Sequence, residues 1–79
     1  MNINSQIKVG KLYQYPFSVN LRKSPDVDFN IKRLMKAYTP FVALELSHSA
    51  ENYLWLKILS PDGDTSYVLC SPRYLKEAR

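Results

Sequence analysis

Seventy-nine residues suffice for one small domain, 1–79, and a chain of that size buries a modest core close to the limit of stability. Nearly half the residues are hydrophobic, six are Tyr and only two are Gly, which is the composition of a folded domain rather than a disordered one. The formal charge of +4 is unevenly placed: residues 22–36 carry five basic side chains against two acidic ones, while residues 37–79 carry four against five. A lone cysteine, Cys70, closes no internal disulfide, the opening MNINSQIKVG lacks the pattern of a secretory signal, and no apolar run approaches the roughly 20 residues that span a bilayer. A reducing, cytoplasmic setting without membrane association is the expectation.

In chain order, Ile7 to Phe17 alternates in part, with Ile7, Val9, Leu12, Tyr13 and Tyr15 supplying residues suited to a pleated, half-buried surface, and Pro16 ends the run or places it on an edge. Ser24-Pro25-Asp26 then offers a helix N-cap, a proline at the first helical position and an acid in the first turn. Behind it Val27, Ile31, Leu34, Met35 and Tyr38 fall on one stripe at helical period, with Lys32, Arg33 and Lys36 mostly off it. Pro40 disfavours helical geometry at Thr39, so the spacing predicts an amphipathic helix over 25–38.

From Phe41 the period becomes two. In FVALEL, Val42, Leu44 and Leu46 share one face; in YLWLKIL, Leu54, Leu56 and Ile58 share one face and Trp55 takes the other. Ser47 to Asn52 reads as a polar loop, and Pro61-Asp62-Gly63-Asp64 as a tight hairpin turn, because Gly permits positive φ and Asp tolerates it. SYVLC returns as the partner strand and SPRYL closes on a 3₁₀-like turn. The fold class is mainly β with one helix: about five short antiparallel strands closing on themselves, which removes exposed edges.

These segments, in this order, resemble an SH3-like barrel. GKLYQYPF at 10–17 looks like the segment that opens SH3 domains, FVALEL like the strand after their diverging turn, and SHSAEN occupies the place of the n-Src loop. YLWLKIL is similar to the Trp-bearing strand, PDGD sits at the distal hairpin, and YVLCSPRYLKEA is similar to the final strand, 3₁₀ turn and short closing strand. Two departures stand out. The chain between Tyr15 and Trp55 is longer than in SH3 domains, by a helical insert at the RT-loop position, and Pro72 and Tyr74 are two apart where SH3 domains space them by three. The resemblance implies that Tyr13, Tyr15, Trp55 and Tyr74 line a protein-binding aromatic groove. The inserted helix must also bury its stripe, so Trp55 either packs on that helix or faces a partner.

Catalytic chemistry is poorly provided for. His48 is the only histidine and falls in a polar loop, one His and one Cys make no tetrahedral metal site, and Asp62 and Asp64 flank a turn glycine. Cys70 alternates with Val68 as a small buried side chain would, and there is no Gly-rich phosphate loop. The expectation is a non-catalytic protein-interaction module with no catalytic residue, metal or cofactor. By analogy with short Tyr- and Lys-rich phage-encoded proteins, it is expected to be an inhibitor or adaptor acting on a host or defence protein in the host cytoplasm. The alternative is a nucleic-acid-binding barrel of the KOW or Tudor type, with Lys8, Lys11, Arg22, Lys23, Lys32, Arg33 and Lys36 as a phosphate-contacting stripe. Exposed strand edges leave a homodimer open as a further arrangement.

Overall fold

Gly10 turns the chain into its first strand: its φ of +90° lies where a side chain would be strained, and its amide donates to the carbonyl of Ala43 at 2.7 Å. The computed structural model describes residues 7–27, 30–49 and 52–78. Every regular element among them is a β-strand: β1 (Leu12–Gln14), β2 (Val19–Arg22), β3 (Ile31–Met35), β4 (Phe41–His48), β5 (Leu54–Leu59), β6 (Thr65–Leu69) and β7 (Lys76–Glu77). They form one antiparallel sheet in the order β3-β2-β6-β5-β4-β1-β7, curled into a half-barrel. The mainly-β expectation holds, with seven strands where about five were predicted.

Curling lets one face of the sheet bury itself. Leu21, Met35, Leu56, Ile58 and Val68 meet Tyr13, Tyr15, Phe41, Ala43 and Cys70 on the inner side, and Ile7, Val19, Leu46, Leu54 and Leu75 pack around them. Fully burying each large apolar side chain contributes about 1.5–3 kcal/mol, so this inner face is the main source of stability in so short a chain. Of the two alternating sets in FVALEL, Phe41 and Ala43 belong to the one that points inward at the start of β4. The pairings Ala43↔Ile58 and Glu45↔Lys57 leave Leu44 as an extra residue, and that bulge reverses which parity faces the core. Past it, Leu46 does reach the core edge.

The helix predicted over 25–38 is absent among its described residues; positions 28 and 29 of that stretch lie outside them. Ile31–Met35 is instead strand β3, antiparallel to β2, and residues 37 and 38 form a turn. The misleading signal has a physical origin. Leu21 pairs with Arg33 but Arg22 with Ile31, so Lys32 is a bulged extra residue. Ile31 and Leu34, three apart, therefore share a strand face, a spacing that otherwise marks a helix. The supposed stripe is also not one buried surface: Met35 is buried at 6% exposure while Leu34 and Tyr38 stand 60% and 61% exposed. An isolated helix of about that length is marginal in water unless a face is buried, whereas the hairpin with β2 pairs its backbone directly.

Turn chemistry follows the sequence more closely. Gly63, at φ +86°, donates its amide to Ser60 O at 2.9 Å, and Ser60 N donates to Asp64 O at 2.9 Å, which closes the predicted β5–β6 hairpin with a Gly bulge. The β2–β3 hairpin folds across onto it. The Lys32 ammonium donates to Asp64 Oδ2 at 2.5 Å, Thr65 O at 2.8 Å and Ser66 Oγ at 3.2 Å, while Arg33 pairs with Asp62 Oδ2 at 2.6 Å. After β6, Tyr74 N donates to Ser71 O at 3.0 Å in a turn that returns the chain to pair as β7 beside β1.

Candidate functional site

In YQYPF the aromatic alternation Tyr13, Tyr15, Phe17 continues past the end of β1, and Pro16 carries the third ring out of the core. Tyr13 and Tyr15 are buried at 4% and 1% exposure, whereas Phe17 is 39% exposed. Phe17 stacks on Tyr15 with ring centroids 5.3 Å apart and meets Tyr74 edge-on at 5.5 Å. The hydroxyl of Tyr15 accepts the amide of Ser71 at 2.9 Å, which fixes the turn carrying Tyr74 against the N-terminal strand. Phe17 and Tyr74 thus form an exposed aromatic pair standing on a buried, hydrogen-bonded base.

Beside this pair, Phe17, Val19, Asn20, Arg22, Leu69 and Ser71 line a surface depression of about 260 Å³ over the seam between β2 and β6. Strand pairing extends it into an outer face. Arg22 lies opposite Tyr67, and Tyr67 opposite Lys57, in one cross-strand row; Leu69 lies opposite Trp55 in the next. The Lys57 ammonium sits 6.0 Å from the centre of the Tyr67 ring, and the Arg73 guanidinium 5.9 Å from that of Tyr74. Other depressions are walled by aliphatic side chains and internally paired charges, such as Leu34, Met35, Arg33 and Asp62. The Phe17 groove combines an exposed aromatic ring with a cation, Arg22, in its lining.

Of the four groove residues named from the sequence, the structure brings together two. Tyr15 and Tyr74 meet through Phe17, Tyr15 as the buried support and Tyr74 as an exposed ring against its edge. Tyr13 belongs to the core, and its hydroxyl accepts the amide of Lys8 at 2.8 Å. Trp55 does take the face opposite Leu56, as the alternation predicts, but it is only 1% exposed and its Nε1–H has no hydrogen-bond partner. Tyr13, Tyr15 and Trp55 therefore present almost no surface of their own. Phe17, Leu69 and the Lys57–Tyr67 pair were not anticipated. The aromatic repeat running past Pro16 could have pointed to Phe17; nothing local marks Leu69.

The seven basic positions do not form one free stripe. Lys11 bonds Glu77 at 2.6 Å, and that carboxylate holds its ammonium above the usual lysine value. Lys32 and Arg33 pair with Asp64 and Asp62 of the β5–β6 turn. Arg22 donates to Val27 O at 3.2 Å and Asn30 Oδ1 at 3.3 Å, bracing the loop after β2. Lys8, Lys23 and Lys36 stand exposed on separate segments. Among the described residues no group of three His, Cys, Asp or Glu could hold a metal ion, and His48 is exposed at the end of β4. The Cys70 thiol is buried, and that burial pushes its pKa up, away from the reactive thiolate.

No known protein family matches this chain, nor does any curated protein or solved structure.

Proposed function

We propose that the protein is a non-catalytic protein-interaction module on an SH3-like barrel, and that it takes a short partner segment in the groove of Phe17 and Leu69, beside Tyr74. The strand order supports the barrel reading. β1 lies between β4 and the short closing strand β7, β4–β5–β6 is a continuous meander, and the β2–β3 hairpin stands where SH3 domains carry their RT loop. The observation that carries the functional reading is the exposed Phe17–Tyr74 pair, with rings 5.5 Å apart, of which Phe17 lines a surface depression and Tyr74 stands beside it. Aromatic rings with few rotatable bonds bury much area at little entropic cost, which is why they dominate recognition hot spots. The nucleic-acid alternative is less well supported, since Lys11, Lys32 and Arg33 are already held by carboxylates.

The test is selection of short random peptides on the folded protein, followed by affinity measurement on Phe17→Ser and Tyr74→Ser. Both side chains are substantially exposed, so the variants keep the wild-type melting temperature to within a few degrees. Each is expected to weaken binding by about tenfold, the loss of a hot-spot aromatic. Equal affinity in folded variants would show that this groove is not the site.

A further inference from the structure

Resting on that reading, we infer that the partner segment is acidic, with a carboxylate two or three residues from the apolar side chain anchored in the groove. The outer face beside the groove is cationic by construction. Arg22, Tyr67 and Lys57 stand in one cross-strand row, and with strands about 4.8 Å apart the two cations begin about 10 Å apart with the ring between them. The row of Leu69 and Trp55 lies two residues along, roughly 7 Å away. Arg73 sits 5.9 Å from the Tyr74 ring beside the groove, so Tyr67 and Tyr74 each carry a cation.

The acids that could neutralise this surface are mostly committed elsewhere. Asp62 and Asp64 hold Arg33 and Lys32 across the β5–β6 turn, and Glu77 holds Lys11. On the face itself the described acid is Glu45, across from Lys57 on β4 at the end remote from the groove, and Asp26 lies in the loop after β2. A segment anchored between Phe17 and Leu69 advances about 3.3 Å per residue, so its second or third neighbour reaches the Arg22–Lys57 row. An acid there meets two cations with an aromatic ring between them; a lysine there is repelled. Charge complementarity thus selects an extended peptide with the pattern apolar anchor, spacer, acid.

The experiment is the same peptide selection, sequenced for charge at each position relative to the anchor and repeated on Lys57→Glu, with Lys57→Ala as a second variant; thermal melts establish that each variant is folded. The expected result is enrichment of Asp or Glu two or three positions from an aromatic or aliphatic anchor on the wild type, and of Lys or Arg there on Lys57→Glu. A synthetic peptide of the enriched type should lose about three- to tenfold in affinity on Lys57→Ala, and similarly between about 50 and 300 mM NaCl. Peptides that depend on Phe17 but show no acidic preference would overturn this inference and leave the groove reading intact. Peptides indifferent to Phe17→Ser would remove both. Displacement of the peptide by a single-stranded oligothymidylate at lower concentration than by any peptide would also overturn it, since the occupant would then be nucleic acid.

Discussion

Two tyrosines show how single residues govern the site from below. Tyr15 lies at 1% exposure with its hydroxyl accepting the amide of Ser71. Tyr15→Phe leaves that part-buried amide without its partner, a loss of about 1–2 kcal/mol expected in urea unfolding. It should also loosen Tyr74, so groove affinity falls with stability; an unchanged urea midpoint would show that the bond contributes nothing. Tyr38 has the opposite character. Its φ of +64° is unusual for a bulky side chain, its ring is 61% exposed, and its amide donates to Tyr15 O at 2.7 Å. Tyr38→Gly keeps the bond and relieves the strain, so the variant is expected to gain about 0.5–1 kcal/mol, read as a higher melting temperature.

Among the elements, the β2–β3 hairpin is where sequence and structure part. Its local signals, a proline-led cap and apolar residues three and four apart, are sound rules applied to a strand that contains a bulge. At the bulge Lys32 reaches three acceptors of the neighbouring hairpin, a contact between residues more than 30 positions apart. No local window could reveal it. Lys32→Ala distinguishes the two readings directly. In a solvent-facing helix the change to alanine would be neutral or stabilising. Here it removes a partly exposed, charge-assisted set of bonds and is expected to cost about 1 kcal/mol, less at high salt, in chemical denaturation.

At the scale of the whole molecule, two acidic groups in the inner face tie stability to pH. Burial raises the pKa of Cys70 above its ordinary 9.0, and burial with the nearby Cys70 raises that of Tyr15 above its ordinary 10.0. In both cases the folded state holds the proton more tightly than the unfolded chain. Their contribution is therefore fully present below about pH 9 and is lost as pH climbs from there through the folded-state values. On the acid side, the amide of Asp64 and then the nearby Arg33 depress the carboxyl of exposed Asp62, a small contribution present above its ordinary 3.8 and lost as pH falls below. Urea midpoints measured across pH should be flat near neutrality and decline above pH 9, and Cys70→Ala should delay that decline towards pH 10. A midpoint unchanged at pH 10.5 in the wild type would contradict the burial of both groups.

Local pattern was enough to specify the meander β4–β5–β6, the hairpin at Pro61–Asp62–Gly63–Asp64, the side of β5 that Trp55 takes and the mainly-β class. These rest on period-two alternation and on turn residues whose backbone preferences are intrinsic. Tertiary structure decided the rest. Whether Ile31 and Leu34 lie on a helix or a bulged strand depends on β2 and on the acceptors of the β5–β6 turn. Whether an aromatic ring is groove or core depends on how far the sheet curls over it, which buried Tyr13 and Tyr15 and left Phe17 and Tyr74 outside. Alternation assigns a side chain to a side of the sheet; only the closing of distant strands decides whether that side meets solvent.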